Sequence, residues 1–155
     1  MLQKKDIIKN NNNIRQKIKK KYEMRTNRKI HNMVNELHWK VIKDLTSNYN
    51  NIVLGDMSAK SIVKKSKSVL SSKLKNACLR MRFYQFRQRL EYKCQLNGIG
   101  YKLIDEYYTS KTCSLCCEYN DKLTGEKVYN CKKCKCKMDR DINGCRNIYM
   151  KSLLK

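Results

Sequence analysis

The sequence has no window that approaches 18 consecutive apolar residues, and its amino-terminal stretch does not have the charged, apolar and small-residue order of a signal peptide. The first absence excludes a membrane-spanning helix, and the second argues against secretion. We therefore expect an intracellular protein without a membrane partner, located in the nucleus if its source is eukaryotic.

Acidic residues are also scarce, because 13 aspartates and glutamates stand against 36 lysines and arginines in 155 residues. The resulting formal net charge of +23 is spread along the whole chain instead of forming one tail. A polyanion is the usual partner of so basic a chain, so nucleic acid is the leading expectation. By its length the chain is one domain with an appendage, or a piece of something larger.

The apolar residues predict an alternation of helices and strands. One helical stripe consists of Ile30, Met33, Val34, Leu37, Val41 and Leu45, and a second stripe runs from Leu79 to Cys94 and ends near Asn97 and Gly98. Short strands are expected at IVLGDM and at YKLIDEYY, and a last helix from Ile142 to Leu154 has Ile142, Cys145, Ile148 and Met150 available for burial. The order predicts an α/β fold.

Nine cysteines are an odd number, and in a reducing compartment paired spacing indicates a metal instead of disulfides. Two Cys-x-x-Cys pairs, 14 residues apart, have the spacing of a zinc ribbon, and a redox dithiol would not need the second pair. Four thiolates leave no open position on zinc, so the metal would be structural. The predicted zinc ligands are Cys113, Cys116, Cys131 and Cys134.

Other cysteines and both histidines receive less specific predictions. Cys117 and Cys136 could replace one of the four ligands, and Cys117 and Lys135 stand where such a turn often has glycine. We expect Cys78, Cys94 and Cys145 to be small core residues, and His31 and His38 to be structural. Lysines in the ribbon are interleaved with Tyr119 and Tyr129, which either stack on nucleobases or form the core of the ribbon.

Carboxylates flank the cysteine segment on both sides. If the ribbon closes like a hairpin, its ends meet, and clustered carboxylates of this kind are what a Mg²⁺ site for phosphodiester cleavage requires. Capping of the final helix is at least as good an explanation for the two aspartates that follow the ribbon. The residues concerned are Asp105, Glu106, Asp139 and Asp141.

The stretches TSKTCSLC, CKKC and DRDINGCRNI together resemble the carboxy-terminal part of the TnpB and Fanzor proteins, which are transposon-associated RNA-guided nucleases. The resemblance implies a partial RNase H-like (RuvC) fold with an inserted zinc ribbon that binds the target nucleic acid. It divides the chain into a basic arm (1–29), a partial RuvC-like core (30–108), the ribbon (109–138) and a final motif with its helix (139–155).

The resemblance also suggests catalytic residues. Asp141 in DRDIN matches the third acidic motif of the family, and Gly55 stands where the glutamate of the second motif would be. Glu106 matches an alternative glutamate of Fanzor-type members, which leaves Asp56 a bystander. The first acidic motif has no counterpart, so we expect a chain that is inactive as a nuclease alone and pairs with a missing amino-terminal half.

The resemblance thus implies DNA binding with structural Zn²⁺, a guide RNA as a further partner, and Mg²⁺ only in a complete nuclease. Two other functions remain open. One is a stand-alone basic zinc-ribbon binding module, in which Glu106 and Asp141 would lie far apart and face solvent. The other is a zinc-stabilised protein-interaction module whose lysines only confer solubility.

Overall fold

The computed structural model of the protein describes residues 2–56, 71–123 and 125–154, with the side chains of residues 2–13 left out. It is a mixed α/β structure, which confirms the predicted fold class at that level. Among the described residues, no helix combines the length and the apolarity needed to cross a membrane. The elements are α1 (Leu2–Asn48), β1 (Asn51–Gly55), α2 (Ser72–Arg80), α3 (Phe83–Leu96), β2 (Gly100–Ile104), β3 (Val128–Asn130), β4 (Lys137–Asp139) and α4 (Arg140–Leu154).

The first helix is continuous through the basic amino-terminal segment. Side chains of residues 14–29 are all exposed, and packing begins only near Ile30. Beyond that point one face of α1 is buried through Val34, His38 and Ile42. Residues at i and i+4 share a helix face, so these three form a single row against the rest of the protein.

The core of the α/β part forms around two parallel strands. β1 pairs with β2 in a register that sets Ile52 opposite Tyr101. Ile52 packs with Ile42 of α1 and with Leu90 and Cys94 of α3 in one buried cluster. Alternate residues of a strand point to opposite faces, so Lys102 lies on the other face, where its Nζ donates to the Ser152 carbonyl of α4 at 2.9 Å. Helices therefore cover both faces of the strand pair.

The helical stripe predicted to run unbroken from Leu79 to Cys94 is in fact split between two helices. Arg82 adopts a left-handed backbone with φ of 50°, which separates α2 from α3 and leaves Leu79 exposed. His38 stabilises this junction, since its Nε2 donates to the Met81 carbonyl at 2.9 Å. Burial, the largest cause, lowers the pKa of His38, which fits the structural role predicted for it.

The final helix buries polar residues where apolar ones were expected. Ile142 and Cys145 are exposed, so the prediction that they are core residues was wrong. Cys94 is buried as predicted, and Cys78 is half-buried. The face of α4 that is turned toward the protein consists of Asn143, Gly144, Asn147 and Ser152.

Candidate metal centre and carboxylate site

The cysteine ribbon (residues 109–138) is built around one tyrosine. β3 and β4 pair antiparallel, with Tyr129 opposite Met138, and Thr112 bridges to Tyr119. Tyr129 is fully buried, and its hydroxyl donates to the Lys111 carbonyl at 3.3 Å. Burial, followed by the neighbouring cysteines, raises the pKa of Tyr129 to about 12. Of the two interpretations offered for this tyrosine, the structure therefore supports the ribbon core.

Five cysteine sulfurs converge at the base of the ribbon. Cys113 Sγ lies 3.7 Å from Cys134 Sγ and 3.5 Å from Cys136 Sγ, and Cys116 Sγ lies 3.5 Å from Cys131 Sγ. Four sulfurs at about 2.3 Å from a tetrahedral zinc ion lie about 3.8 Å from one another. The spacing of these thiols is therefore close to that of a tetrahedral zinc site.

All four predicted ligands belong to this cluster, and Cys136 joins them as a fifth thiol. One set of four, made of Cys113, Cys131, Cys134 and Cys136, has its sulfurs within 4.8 Å of one another. Cys116 stays at the Cys131 side of the cluster, while Cys117 is exposed. The sequence signal for the fifth thiol is the run CKKCKC, in which Cys136 follows Cys134 by two residues.

The two turns that carry the thiols both require left-handed backbone. Cys117 has φ of 60° and Lys135 has φ of 59°, at the positions where glycine was considered from the sequence. Each turn is closed by a backbone bond, from Cys117 N to the Cys113 carbonyl at 2.9 Å and from Cys131 N to the Cys136 carbonyl at 3.0 Å. The fold thus adopts the sharp turn even without glycine.

Backbone N–H groups in the first turn favour the charged form of Cys113. Burial by itself disfavours a thiolate, but the N–H groups of Cys116 and Leu115 and the nearby thiols lower the pKa of Cys113 to about 6. Zinc binds the thiolate form of cysteine. This environment therefore suits a metal ligand.

The outer surface of the ribbon is strongly basic. Lys133 pairs with Glu118 at 3.6 Å, and Lys111 is half-buried with its Nζ donating to the Asp121 carbonyl. The ribbon lysines that are exposed are Lys122, Lys127, Lys132, Lys133, Lys135 and Lys137. The clustered thiols therefore face one another, with Cys113 and Cys131 buried and Cys134 at the surface, and the positive charges face solvent.

Glu106 packs against the end of β1. Gly55 pairs with Ile104, and Glu106 follows two residues later. A Cβ added at Gly55 would overlap with Oε1 of Glu106, so the Glu106 carboxylate fills the space that a side chain at residue 55 would need. Burial, and then the charge of Asp56, raise the pKa of Glu106.

Asp56 and Arg87 form a pair beside this glutamate that sequence reasoning missed. Arg87 of α3 donates through Nη1 to Asp56 Oδ1, and its guanidinium lies 5.1 Å from the ring centre of Tyr84. Asp56 had been interpreted as a bystander, yet its charge acts directly on Glu106. No sequence pattern pointed to the pair, because Arg87 is 31 residues away on a helix whose basic face looked solvated.

Asp105 and Asp139 have partners away from Glu106. Asp105 accepts a bond from Lys151 Nζ at 2.9 Å. Asp139 Oδ1 accepts the backbone N–H groups of Asp141 and Ile142, at 2.8 and 3.2 Å, and so provides the helix cap considered from the sequence. Asp141 lies exposed in the first turn of α4 and does not serve as that cap.

Two buried asparagines tie α4 to the segment that links Glu106 with the ribbon. Asn143 Nδ2 donates to the Thr112 carbonyl at 2.7 Å, and its Oδ1 accepts from Ser114 N at 2.9 Å. Asn147 Nδ2 donates to the carbonyls of Thr109 and Thr112, both at 2.7 Å. The helix turn that carries Asp141 is thereby anchored to the ribbon entrance.

Comparison with known proteins finds one family model and several viral proteins that are similar to this chain. The family model described as the Cas12f1-like TNB domain matches residues 83–148. A TnpB-like protein of Acanthamoeba polyphaga mimivirus is 36% identical over 146 residues, which cover 92% of this chain and 28% of that protein. A putative transposase of Paramecium bursaria Chlorella virus 1 is 34% identical over 116 residues, which cover 75% of this chain and 26% of that protein.

More distant relatives include the CRISPR-associated endodeoxyribonuclease Cas12f1 of Sulfoacidibacillus thermotolerans, 33% identical over 67 residues that cover 43% of this chain and 16% of that protein. The cryo-EM structure of a Cas12f1–sgRNA–target DNA complex aligns with a TM-score of 0.49 and 24% identity, covering 83% of this chain and 34% of that chain. The chain thus spans about a quarter of the length of its viral relatives. By these matches the chain belongs to the TnpB-like proteins and corresponds to a carboxy-terminal part of that family.

Proposed function

We propose that this chain is the zinc-stabilised nucleic-acid-binding part of a TnpB-like RNA-guided endonuclease, with DNA as its target and a guide RNA as a further partner. The observation that carries the proposal is the polarity of the ribbon, whose thiols converge at its base while its lysines cover the outer surface. The family relationship supports the same function, since one relative is named an endodeoxyribonuclease.

Zinc fits the donor set of the cluster. Cys113, Cys116, Cys131 and Cys134 remain our proposed ligands, with Cys136 as the alternative to Cys116. A site made only of thiolates is closed, so the ion would fold the ribbon and hold its lysines in place without taking part in chemistry.

The charge distribution supports binding to a phosphate backbone. Six exposed lysines lie on the ribbon, and the exposed segment 14–29 of α1 adds a second basic surface. Each lysine or arginine that neutralises a phosphate releases counterions, which makes the affinity fall as salt rises. A surface of this kind binds nucleic acid without reading its sequence.

We also propose Glu106 and Asp141 as the Mg²⁺ ligands that this chain contributes to the nuclease site. Glu106 is supported by its packing on Gly55, which sets its carboxylate where the side chain of residue 55 would otherwise lie. Asp141 is supported by its exposure and by Asp139 acting as the helix cap in its place. Half-burial of Glu106 argues against the stand-alone module, for which both carboxylates would face solvent, whereas the exposure of Asp141 fits either function.

Salt and zinc dependence test the binding function. If six ribbon lysines each contact a phosphate, affinity for duplex DNA falls by about a thousandfold between roughly 50 and 200 mM salt. Replacing Lys132 and Lys135 by glutamine should reduce the log–log salt slope by about two. The matched control replaces Lys40 and Lys43, which are exposed on α1 outside the ribbon. An affinity that does not change with salt concentration would favour the protein-interaction module instead.

The metal function of the carboxylates is tested with Mn²⁺ as a paramagnetic substitute for Mg²⁺. NMR signals near Glu106 and Asp141 should broaden on addition of Mn²⁺, and Glu106→Gln should weaken the effect. Asp44→Asn, which changes an exposed carboxylate on α1, serves as the control. Equal broadening around Asp44 and Glu106 would contradict the proposed site.

A further inference from the structure

Tyr108 and Tyr119 form an exposed aromatic pair where the α/β part meets the ribbon. Their ring centres are 5.6 Å apart with an interplanar angle of 76°. Tyr108 is 66% exposed and Tyr119 is 47% exposed, whereas Tyr129 in the same ribbon is fully buried. The pair therefore does not form the ribbon core, and its apolar surface faces water.

The backbone beneath Tyr108 is held firmly in an unusual conformation. Tyr108 has φ of 66°, a left-handed conformation that bulky side chains rarely adopt. Its carbonyl accepts three hydrogen bonds, from Lys111 N at 3.1 Å and from the N and Oγ1 of Thr112, both at 3.0 Å. Strained positions fixed in this way cluster at ligand-binding and active sites.

The second ring is attached to the same short segment. Thr112, which bonds to the Tyr108 carbonyl, also forms the isolated bridge with Tyr119. Asn120 N donates to the Lys111 carbonyl at 2.9 Å, which fixes the other side of Tyr119. Both rings thus project from one hydrogen-bonded unit, and little backbone freedom remains to be lost when a flat ligand binds.

Two lysines lie close to the pair. Lys111 lies within the hydrogen-bonded unit, and the exposed Lys122 follows Tyr119 by three residues. Glu106, a proposed metal ligand, precedes Tyr108 by two residues. An aromatic surface beside lysines is how proteins bind single strands, with the phosphates on the lysines and the bases stacked on the rings.

We propose that the Tyr108–Tyr119 pair is a stacking platform for an unpaired base of single-stranded nucleic acid next to the carboxylate site. This inference rests on the proposed nucleic-acid function and names the chemistry it recognises. The flat face of a base is common to DNA and RNA, so single-stranded DNA and single-stranded RNA are both candidate ligands. A closed duplex is not, because its bases stay stacked inside.

The test compares labelled oligothymidylate, oligouridylate, an abasic oligomer of equal length and a duplex by fluorescence anisotropy with the full chain. Tyr108→Ala and Tyr119→Ala should each lower the affinity for one of the base-containing single strands about tenfold. The affinity for the abasic strand should stay unchanged. Tyr108→Trp should retain binding. Tyr92→Ala is the matched control, because Tyr92 is 58% exposed but lies on α3.

A photo-crosslink from 5-iodouracil, mapped by mass spectrometry on the unmodified protein, avoids any folding defect in the variants. Labelling of Tyr108 or Tyr119 supports the platform. Equal losses on abasic and base-containing strands, or a crosslink only to α1, would overturn it. Absence of binding to every oligonucleotide would overturn the proposed nucleic-acid function as well, so the two failures can be told apart.

Discussion

The buried clusters of the ribbon and of the α/β part contain four residues each but differ in the interactions that hold them together. In the ribbon the buried cluster is Cys113, Leu123, Tyr129 and Cys131, and its strands are three residues long. In the α/β part the buried cluster is Ile42, Ile52, Leu90 and Cys94. The apolar side chains of the α/β cluster stabilise the fold by packing alone. In the ribbon cluster, two of the four buried residues are candidate metal ligands. If the proposed zinc binds, the ribbon depends on the metal for its stability, whereas the α/β part depends on apolar contacts.

The α/β part leaves some of its predicted apolar helix face exposed. On α1, Met33, Leu37 and Val41 are exposed although they lie one row away from the buried Val34 and Ile42. The sequence had assigned this helix a single amphipathic face. Only half of that face is covered by the described residues, so the packing in the α/β part supplies less stability than its sequence pattern suggests.

The largest expected effect is removal of the metal. A chelator should unfold the ribbon and leave α1 and α3 helical, because structural zinc sites contribute roughly 10–16 kcal/mol of binding free energy. Cys113→Ser should act in the same direction, since this fully buried thiol lies in the centre of the cluster. Amide NMR signals assigned region by region would measure both changes.

The matched control for the metal prediction is Cys145→Ser, because Cys145 is exposed on α4 and outside the cluster. Its zinc content and its ribbon signals should stay unchanged. Simultaneous loss of α1 and ribbon signals on chelation would mean that the two regions do not depend on different forces.

Packing in the α/β part gives the next largest effect. Leu90→Ala should lower the free energy of unfolding by about 2–5 kcal/mol, because Leu90 is fully buried and truncation leaves a cavity. Leu37→Ala, on the exposed row of α1, should change it by less than about 0.5 kcal/mol. Urea unfolding monitored through Trp39 on α1 would measure the difference, and equal losses would show that the exposed row is covered in solution.

The hydrogen bonds that link α4 to the ribbon entrance should contribute less to the free energy of unfolding than either buried cluster. Asn147→Ala removes a buried amide that donates hydrogen bonds to the carbonyls of Thr109 and Thr112. We expect the free energy of unfolding to fall by about 1–3 kcal/mol. Hydrogen exchange should show faster opening at residues 109–114 with zinc still bound. Asn97→Ala, a change in an exposed residue just after α3, should leave that exchange as it was.

Much of this organisation could be predicted from local patterns. Cysteine spacing located the cluster, the left-handed turns at Cys117 and Lys135 followed from the places where glycine is usual, and the helix cap fell to one of two named aspartates. Each of these features depends on residues close together in the sequence. Local chemistry is therefore enough to specify them.

Other features depend on contacts between distant segments. Arg82 breaks a regular apolar stripe because tertiary packing imposes a left-handed backbone on a residue that does not favour it. The buried face of α4 is polar because Asn143 and Asn147 satisfy loop carbonyls more than 30 residues away. A hydrophobic pattern cannot reveal such a face, since it registers only apolar residues.

Relief of strain in the second cysteine turn is a smaller effect. Lys135→Gly should raise the free energy of unfolding of the zinc-bound protein by about 1 kcal/mol, because glycine adopts φ of 59° without the clash of a Cβ. Thermal unfolding would measure the gain. Lys132→Gly, in an exposed position of the same turn where φ is not positive, should not stabilise the protein.

The smallest expected effect concerns the carboxylates. Because burial, and then the charge of Asp56, raise the pKa of Glu106, folding disfavours its ionised form relative to the unfolded state, and stability from this group is lost as pH rises through the folded pKa. Glu106→Gln should therefore stabilise the protein slightly at neutral pH. Asp56→Asn should lower the pKa of Glu106, measured by carboxyl NMR titration, whereas Asp44→Asn should not. A pKa unchanged by Asp56→Asn would mean that burial alone sets it, and the pair with Arg87 would then have no part in tuning the carboxylate site.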